Sequence, residues 1–328
     1  MTRYLVISPQ AGLGNRLRAL SSAIVLARQT GRRLLHAWTP PPTSVSTRRT
    51  LERGGSLLLG EPQSGEERDE SLLLERAKSK APVSPTPLDS RANVRALQML
   101  RLEDLLTSDA LRPATDITAI DVCFSEWLPD DGWYDVQSSA QRRWFVQPTP
   151  TRDDPSALVA ASEAPVVLVE TSLAFRLEAS DGGLDEVAWE HERTRAYATL
   201  EPSTRFARLL ADTPTCSVGV SIRRGDLLRY FPSAAQDEGA LTRWMIDLAH
   251  RYPVALFSDD SSFRLRIVAT ARSHGGQIVD PFPPDLRARL APWELGFLEF
   301  LYLSRCPVVT GTPHSSFARE AALFGGCR

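Results

Sequence analysis

The stretch from Val218 to Asp226 reads Val-Gly-Val-Ser-Ile-Arg-Arg-Gly-Asp, so two adjacent arginines, a glycine and an aspartate follow a β-rich run. Guanidinium groups form bidentate, charge-assisted hydrogen bonds to phosphate oxygens, and glycine lets the backbone approach an anion closely. Arg223 and Arg224 therefore predict a loop that binds a diphosphate. An arginine pair on a solvated turn is the alternative, and the choice depends on what else converges there.

The second half of the chain alternates strand and helix patterns. Strands are predicted at Val218 to Ile222, Val254 to Ser258, Gln277 to Asp280 and Pro307 to Thr310. Helices are predicted at Ala240 to His250, Ser262 to Arg272, Trp293 to Ser304 and Ser315 to Phe324. This alternation is typical of right-handed, parallel β-α-β crossovers, and it predicts a Rossmann-like sheet.

The first half opens with a β-α-β pattern of its own. Tyr4 to Ser8 predicts a strand, Pro9 to Asn15 a loop, Arg16 to Gln29 a helix and Arg33 to Trp38 a second strand. From Thr39 to Arg91, clusters of proline, glycine and charge predict an irregular insertion that is partly mobile and helps to close over the acceptor. The predicted fold class is α/β, with two Rossmann-like domains (1–200 and 201–328) that face each other across a cleft.

Polar residues follow three of the predicted strands of the second half, and the carboxyl ends of parallel strands share one edge, where ligands bind. These residues are Arg223, Arg224 and Asp226 after the first strand, Asp259 and Asp260 after the second, and His314, Ser315 and Ser316 after the last. The N-terminus of the helix at Ser315 favours a phosphate. Plain capping is the alternative for these serines and for the paired aspartates.

Three motifs resemble those of the GT-B fucosyltransferase superfamily, which includes α1,6-fucosyltransferases, nodulation fucosyltransferases and protein O-fucosyltransferases. Ser221 to Asp226 is similar to its His-x-Arg-Arg-x-Asp motif, Gly12 to Leu20 to its Gly-x-x-Gly-Asn loop and helix, and Thr312 to Phe317 to its Ser-Ser-Phe phosphate loop. Ser221 departs from the motif, because it replaces the histidine. The glutamate that some protein O-fucosyltransferases place in the first loop is also missing.

The resemblance implies an inverting, metal-independent transfer of fucose or a related sugar from a GDP-sugar, with no further cofactor. The partners would be the nucleotide-sugar donor and a glycan, peptide or small-molecule acceptor. Arg223 would contact the β-phosphate, Arg224 and Asp226 would support the donor or the loop, and Asp259 would lie near the base or ribose. Asp226 and Glu294 are candidate general bases by residue type alone.

The resemblance also implies that both predicted domains contribute to the donor site. Ser315, Ser316 and Phe317 would line the diphosphate site, and Gly12, Gly14 and Asn15 would approach from the N-terminal domain, with Asn15 in a catalytic role. His314 adjoins this loop, where it would either donate to the leaving group or stabilise the loop.

Composition excludes other classes of function. A formal net charge of −2 argues against binding of a nucleic-acid polymer. No apolar run approaches the roughly 20 residues of a membrane span, so the expected location is the cytoplasm. Lysine occurs only at Lys78 and Lys80, a usage that indicates a bacterial source. The four cysteines are scattered and suggest neither a zinc site nor a disulfide framework.

Two alternatives to a glycosyltransferase stay open at this point. The first is a catalytically inactive nucleotide- or sugar-binding protein. The second is an NAD-type Rossmann oxidoreductase, which fits less well because Gly12 and Gly14 lack the third glycine of the dinucleotide fingerprint.

Overall fold

The structure is a computed structural model that describes most of the chain outside one long central interval. The described residues are 2–9, 11–38, 102–108, 111–115, 117, 119–125, 134–137, 143–146, 148–150, 155–224, 237–313 and 315–326. The insertion predicted between Thr39 and Arg91 lies outside them, as do Asp226 and His314.

The predicted β-α-β unit at the start of the chain is confirmed, with one correction. Strand β1 (Tyr4–Pro9) leads into helix α1 (Leu13–Gln29) and then into strand β2 (Arg33–His36). The helix begins three residues earlier than predicted, so Gly14 and Asn15 lie in its first turn and not in a loop. Glycine disfavours helices, which is why the sequence pattern placed it outside.

The rest of the first half adds short elements to this unit. They are α2 (Leu102–Leu105), β3 (Leu106–Thr107), β4 (Val122–Ser125), β5 (Tyr134–Gln137), β6 (Arg143–Val146), β7 (Pro148–Pro150), α3 (Ser156–Ala161) and β8 (Val166–Thr171). The sheet has the order β2-β1-β8-β4-β7, and every neighbouring pair is parallel. Strands β5 and β6 form a separate antiparallel pair.

A connecting region follows, for which the sequence predicted no element. It contains a short 3-10 helix (Ala179–Asp181), α4 (Glu186–Tyr197), β9 (Glu201–Pro202) and α5 (Thr204–Ala211). Strand β9 pairs with β3 in a small antiparallel ladder. Because α4 packs against α1 of the first half and also against the last helix of the chain, the domain limits 1–200 and 201–328 stay a prediction.

The second half has the predicted alternation, with bounds that differ by at most two residues, and it also contains one short helix (Pro284–Arg289) that the sequence did not predict. Its elements are β10 (Val218–Ile222), α6 (Glu238–Arg251), β11 (Val254–Ser258), α7 (Ser261–Ser273), β12 (Ile278–Val279), α8 (Pro284–Arg289), α9 (Pro292–Ser304), β13 (Val308–Gly311) and α10 (Ser316–Phe324). The strand order is β12-β11-β10-β13, again parallel throughout. All five residues of β10 are buried, as its apolar sequence requires.

Helix α1 joins the two halves. It is buried over most of its circumference, because β1, α4 and α10 all pack against it. Behind these contacts lies a buried polar cluster: Arg193 of α4 donates to Ser21 Oγ on α1 at 2.9 Å and pairs with Glu320 on α10. Tyr197 also donates to Glu320, at 2.5 Å. The cluster therefore fixes α1 against α10 from the side of α4.

Candidate functional site

Arg223 is the first residue after β10, and its position is fixed by the end of the neighbouring strand. Its backbone N–H donates to Thr312 Oγ1 at 2.9 Å, and the Thr312 N–H donates in turn to the Ser221 carbonyl at 3.0 Å. Thr312 is buried. These two bonds tie the carboxyl ends of β10 and β13 together, so Arg223 lies beside the loop that leads into α10.

Arg224, the next residue, contacts a different part of the sheet. Its backbone N–H donates to Asp259 Oδ1 at 2.7 Å, and its guanidinium carbon lies 4.3 Å from the centroid of the Phe263 ring. Its side-chain nitrogens also lie 3.8 Å from an Asp260 oxygen and 3.7 Å from a Glu238 oxygen. These contacts connect β10 to the β11–α7 turn, which fits the supporting role that the resemblance implied.

The paired aspartates after β11 are both engaged by backbone or helix contacts. Asp260 caps α7, because its carboxylate accepts hydrogen bonds from the Phe263 N–H at 2.9 Å and the Ser262 hydroxyl at 2.7 Å. Burial alone would raise the pKa of Asp260, but these hydrogen bonds and the charge of Arg224 outweigh it and lower the pKa. Asp259 Oδ1 accepts the hydrogen bond from the Arg224 backbone N–H.

Neither serine at the start of α10 caps the helix through its side chain, as far as the described residues extend. Ser315 occupies the N-cap position, and its buried Oγ has no hydrogen-bond partner there. Ser316 Oγ donates across to Asn15 Oδ1 on α1 at 2.7 Å. The first turn of α10 also contains no acidic residue. Among the described residues, the N-terminal N–H groups of this helix therefore have no side-chain acceptor, a condition that favours an external anion.

The N-terminus of α1 meets the N-terminus of α10 at the same place. A Cβ atom added to Gly14 would lie 2.9 Å from the Phe317 backbone nitrogen and 2.9 Å from Ser316 Oγ, so only glycine allows this approach. Gly12 is the N-cap of α1, and no side chain of the described residues caps that helix either. Two helix N-termini, each with a partial positive charge, thus converge beside the ends of β10 and β13.

Two further candidates are held by local contacts. The Phe317 ring is partly buried and packs edge-on against Phe300, with the ring centroids 5.6 Å apart, so it lies against the core between α9 and α10. Glu294, in the first turn of α9, accepts a hydrogen bond from the Ala291 N–H at 2.7 Å and forms an ion pair with Arg205 of α5.

Thr312, which belongs to the motif from Thr312 to Phe317, anchors Arg223. Sequence reasoning missed one residue that the structure places at these edges. Arg16 is fully buried in α1 and lies beside Trp38, after β2. The signal for Arg16 was a charged residue at helical spacing from Leu13 and Leu20 and directly before Leu17, in the apolar pattern of this helix.

The described residues contain no group of three or more His, Cys, Asp or Glu side chains that could hold a metal ion. Within the same part of the chain, no helix is long and apolar enough to cross a membrane.

The described residues form two parallel, Rossmann-like sheets, which is the architecture of the GT-B class of fold. The chain is similar to crystal structures of POFUT1, one in complex with GDP-fucose (TM-score 0.53, 11% identity, 98% of this chain and 94% of that chain) and one in the apo form (TM-score 0.50, 11% identity, 99% and 95%). Fucosyltransferase NodZ from Bradyrhizobium is also similar, with a TM-score of 0.42, 15% identity and 98% and 92% coverage.

The likeness to the POFUT1 structures extends over nearly the whole chain, and the chain therefore has the GT-B fold of fucosyltransferases. The fold that the sequence motifs implied is confirmed. No family model matches the chain, and no curated protein sequence matches it.

Proposed function

We propose that this protein is a glycosyltransferase that transfers fucose or a related sugar from a GDP-sugar to a glycan, peptide or small-molecule acceptor. The observation that carries the proposal is the convergence of Arg223 with the N-termini of α1 and α10 at the carboxyl edge of the second sheet. A cation and two sets of helix N–H groups at one edge suit a diphosphate.

The chemistry follows from the charge of the leaving group. As the glycosidic bond breaks, the nucleoside diphosphate gains negative charge and the sugar becomes oxocarbenium-like. A guanidinium at a fixed position and helix N–H groups stabilise that charge without reorganising. Arg223 grips the diphosphate, and the Ser315 hydroxyl and Ser316 add donors at the start of α10. Transfer inverts the anomeric carbon and needs no metal ion.

The comparisons support GDP-fucose as the first donor to test. One of the POFUT1 structures with this fold is a complex with GDP-fucose. Asp259 follows β11 at the same edge of the sheet, and it is our candidate for contact with the base or ribose.

Nucleotide binding is the direct test. With EDTA present, GDP at a hundredfold excess over its Kd should stabilise the folded protein by about 2.7 kcal/mol. UDP and NAD at the same concentration serve as comparisons in thermal denaturation. A clear shift with UDP or NAD and none with GDP would overturn the donor assignment.

The two adjacent arginines provide a matched pair of variants. Arg223→Lys keeps the charge but loses the planar fork, so GDP binding and GDP-fucose turnover should both fall strongly. Arg224→Lys should lose much less, because a lysine can still pair with Asp260 and Glu238. Equal losses in the two folded variants would remove the central role given to Arg223.

A catalytically inactive nucleotide-binding protein is the second candidate. It is favoured by Ser221, which stands where the related motif has histidine. Release of fucose from GDP-fucose, measured with water and with a panel of acceptors, separates the two. Tight GDP binding without any release of fucose would favour the inactive protein.

A further inference from the structure

Arg16 is a buried cation whose terminal nitrogens have nothing to bind within the described part of the chain. The residue is 0% exposed. Its Nε donates to the Ala11 carbonyl at 2.9 Å, but neither Nη1 nor Nη2 has a hydrogen-bond partner there. The guanidinium carbon lies 5.1 Å from the centroid of the Trp38 ring, and Trp38 Nε1 is likewise buried and unpartnered. Three buried N–H donor atoms thus lie close together, and none of the described residues supplies an acceptor for them.

These donors lie at the carboxyl edge of the first sheet. Ala11 follows β1, Trp38 follows β2, and the bond from Arg16 to Ala11 places the guanidinium at the N-terminal end of α1. This end has no acidic residue in its first turn and no side-chain cap among the described residues. A Cβ atom added to Gly12 would meet no atom of these residues within 4 Å, so the described part of the chain leaves space beside the helix end.

Electrostatics make an anion the fitting occupant. Burial lowers the pKa of Arg16 to about 9, so the guanidinium is still protonated at neutral pH. A buried charge without a counter-charge is unfavourable, and unpaired buried donors add to the cost. The helix N-terminus adds further positive potential at the same place. A carboxylate or a phosphate matches the paired N–H groups of a guanidinium and would remove all of these costs together.

We propose that Arg16, Trp38 Nε1 and the N-terminus of α1 form a subsite for an oxyanion, a carboxylate or a phosphate, on the acceptor. The inference rests on the proposed glycosyltransferase function. Successive helix residues point about 100° apart. Asn15 faces α10 and the donor edge, through its bond with Ser316, whereas Arg16 stacks on Trp38 of the first sheet. The oxyanion therefore lies on the side of the first sheet, away from the donor edge, and we assign it to the acceptor.

The test uses small anionic sugars with the donor site already filled. The protein is saturated with GDP, and glucuronate, glucose 6-phosphate and neutral glucose are titrated by calorimetry. At least one anionic sugar should bind, glucose should not, and Arg16→Met should weaken the binding at least tenfold. Whichever anionic sugar binds tells whether the acceptor group is a carboxylate or a phosphate. Arg28→Met is the matched control, because Arg28 is exposed on the same helix and its removal changes the charge equally.

Stability separates a binding role from a structural one. Arg16→Met removes an unpaired buried charge, so the apoprotein should melt at the same temperature or higher. If this variant does not fold, Arg16→Lys keeps the charge, loses the fork and should still weaken the binding. Unchanged affinity in the folded Arg16 variants would overturn the proposal, as would the absence of any binding of an anionic sugar.

Competition with the donor is the remaining decisive outcome. If an anionic sugar displaces GDP, the oxyanion belongs to the donor site and the acceptor assignment is wrong. If GDP itself does not bind, the proposed function fails first. The dependence of sugar binding on Arg16 is then measured without nucleotide, so the two failures can be told apart.

Discussion

Gly14→Ala tests the contact on which the candidate site depends, the close approach of α1 to α10. Glycine inside a helix is unfavourable relative to alanine by about 1 kcal/mol, so helix propensity alone predicts that the substitution stabilises the protein. The structure predicts the opposite. The added Cβ would lie 2.9 Å from the Phe317 backbone nitrogen and 3.0 Å from its Cα, and backbone atoms cannot move aside as a flexible side chain can.

The size of the effect follows from two losses. Overpacking a close contact costs about 1–3 kcal/mol. Separating the helices also breaks the 2.7 Å hydrogen bond from Ser316 to Asn15, which is worth about 0.5–1.5 kcal/mol. After the gain in helix propensity, Gly14→Ala should destabilise the protein by about 2 kcal/mol. For a domain of this size, that corresponds to a fall in Tm of about 4–8 °C.

Gly296→Ala is the matched control, because Gly296 is also helical, in α9, and an added Cβ would meet no atom of the described residues within 4 Å. It should stabilise the protein by about 1 kcal/mol. Urea and thermal denaturation of the two variants measure both signs. GDP binding should weaken only in Gly14→Ala. If Gly14→Ala is as stable as Gly296→Ala, the two helix N-termini are not in the contact described here, and the reasoning for the site fails.

Two further predictions concern buried charges. Glu320→Gln should destabilise the protein by about 3 kcal/mol in urea denaturation, because Arg193 loses its counter-charge. The double variant Arg193→Met/Glu320→Leu should recover most of that loss. A double variant no more stable than Glu320→Gln would contradict this prediction. Burial raises the pKa of Glu299 to about 7, against an ordinary value of 4.5, despite the nearby Arg287. The folded protein therefore binds this proton more tightly than the unfolded chain does. The stability that protonated Glu299 contributes is fully present below pH 4.5 and is lost as the pH rises through 7. Glu299→Gln should flatten that decline by up to about 3 kcal/mol, and equal pH profiles of the urea midpoint for both proteins would refute the assignment.

The fold was largely predictable because its signals are local. Each strand of the second sheet is a short apolar run followed by a helical period, which is the sequence pattern of a parallel sheet. The Arg-Arg-Gly-Asp and Ser-Ser-Phe motifs were recognisable for the same reason, since each is contiguous in the chain. The connecting helix α4 was not predicted. Its buried face includes Arg193, which reads as polar in any hydrophobic pattern until Glu320 and Ser21 are placed beside it.

The sequence by itself determined the second parallel sheet, the β-α-β unit that opens the first sheet, and the polar residues that follow the strands of the second sheet, because strand and helix periods depend on neighbours within a few residues. Only the tertiary structure decided what those residues do. It placed Gly14 in the first turn of a helix, where the backbone of another helix lies so close that a larger side chain would not fit. In the tertiary structure, Ser316 donates a hydrogen bond to Asn15 on α1 and does not cap its own helix. Arg224 contacts the residue that follows β11, whereas Arg223 lies beside the start of α10. The tertiary structure also left Arg16 buried without a counter-charge among the described residues. These are contacts between segments up to 301 residues apart, and their geometry depends on how the two sheets meet.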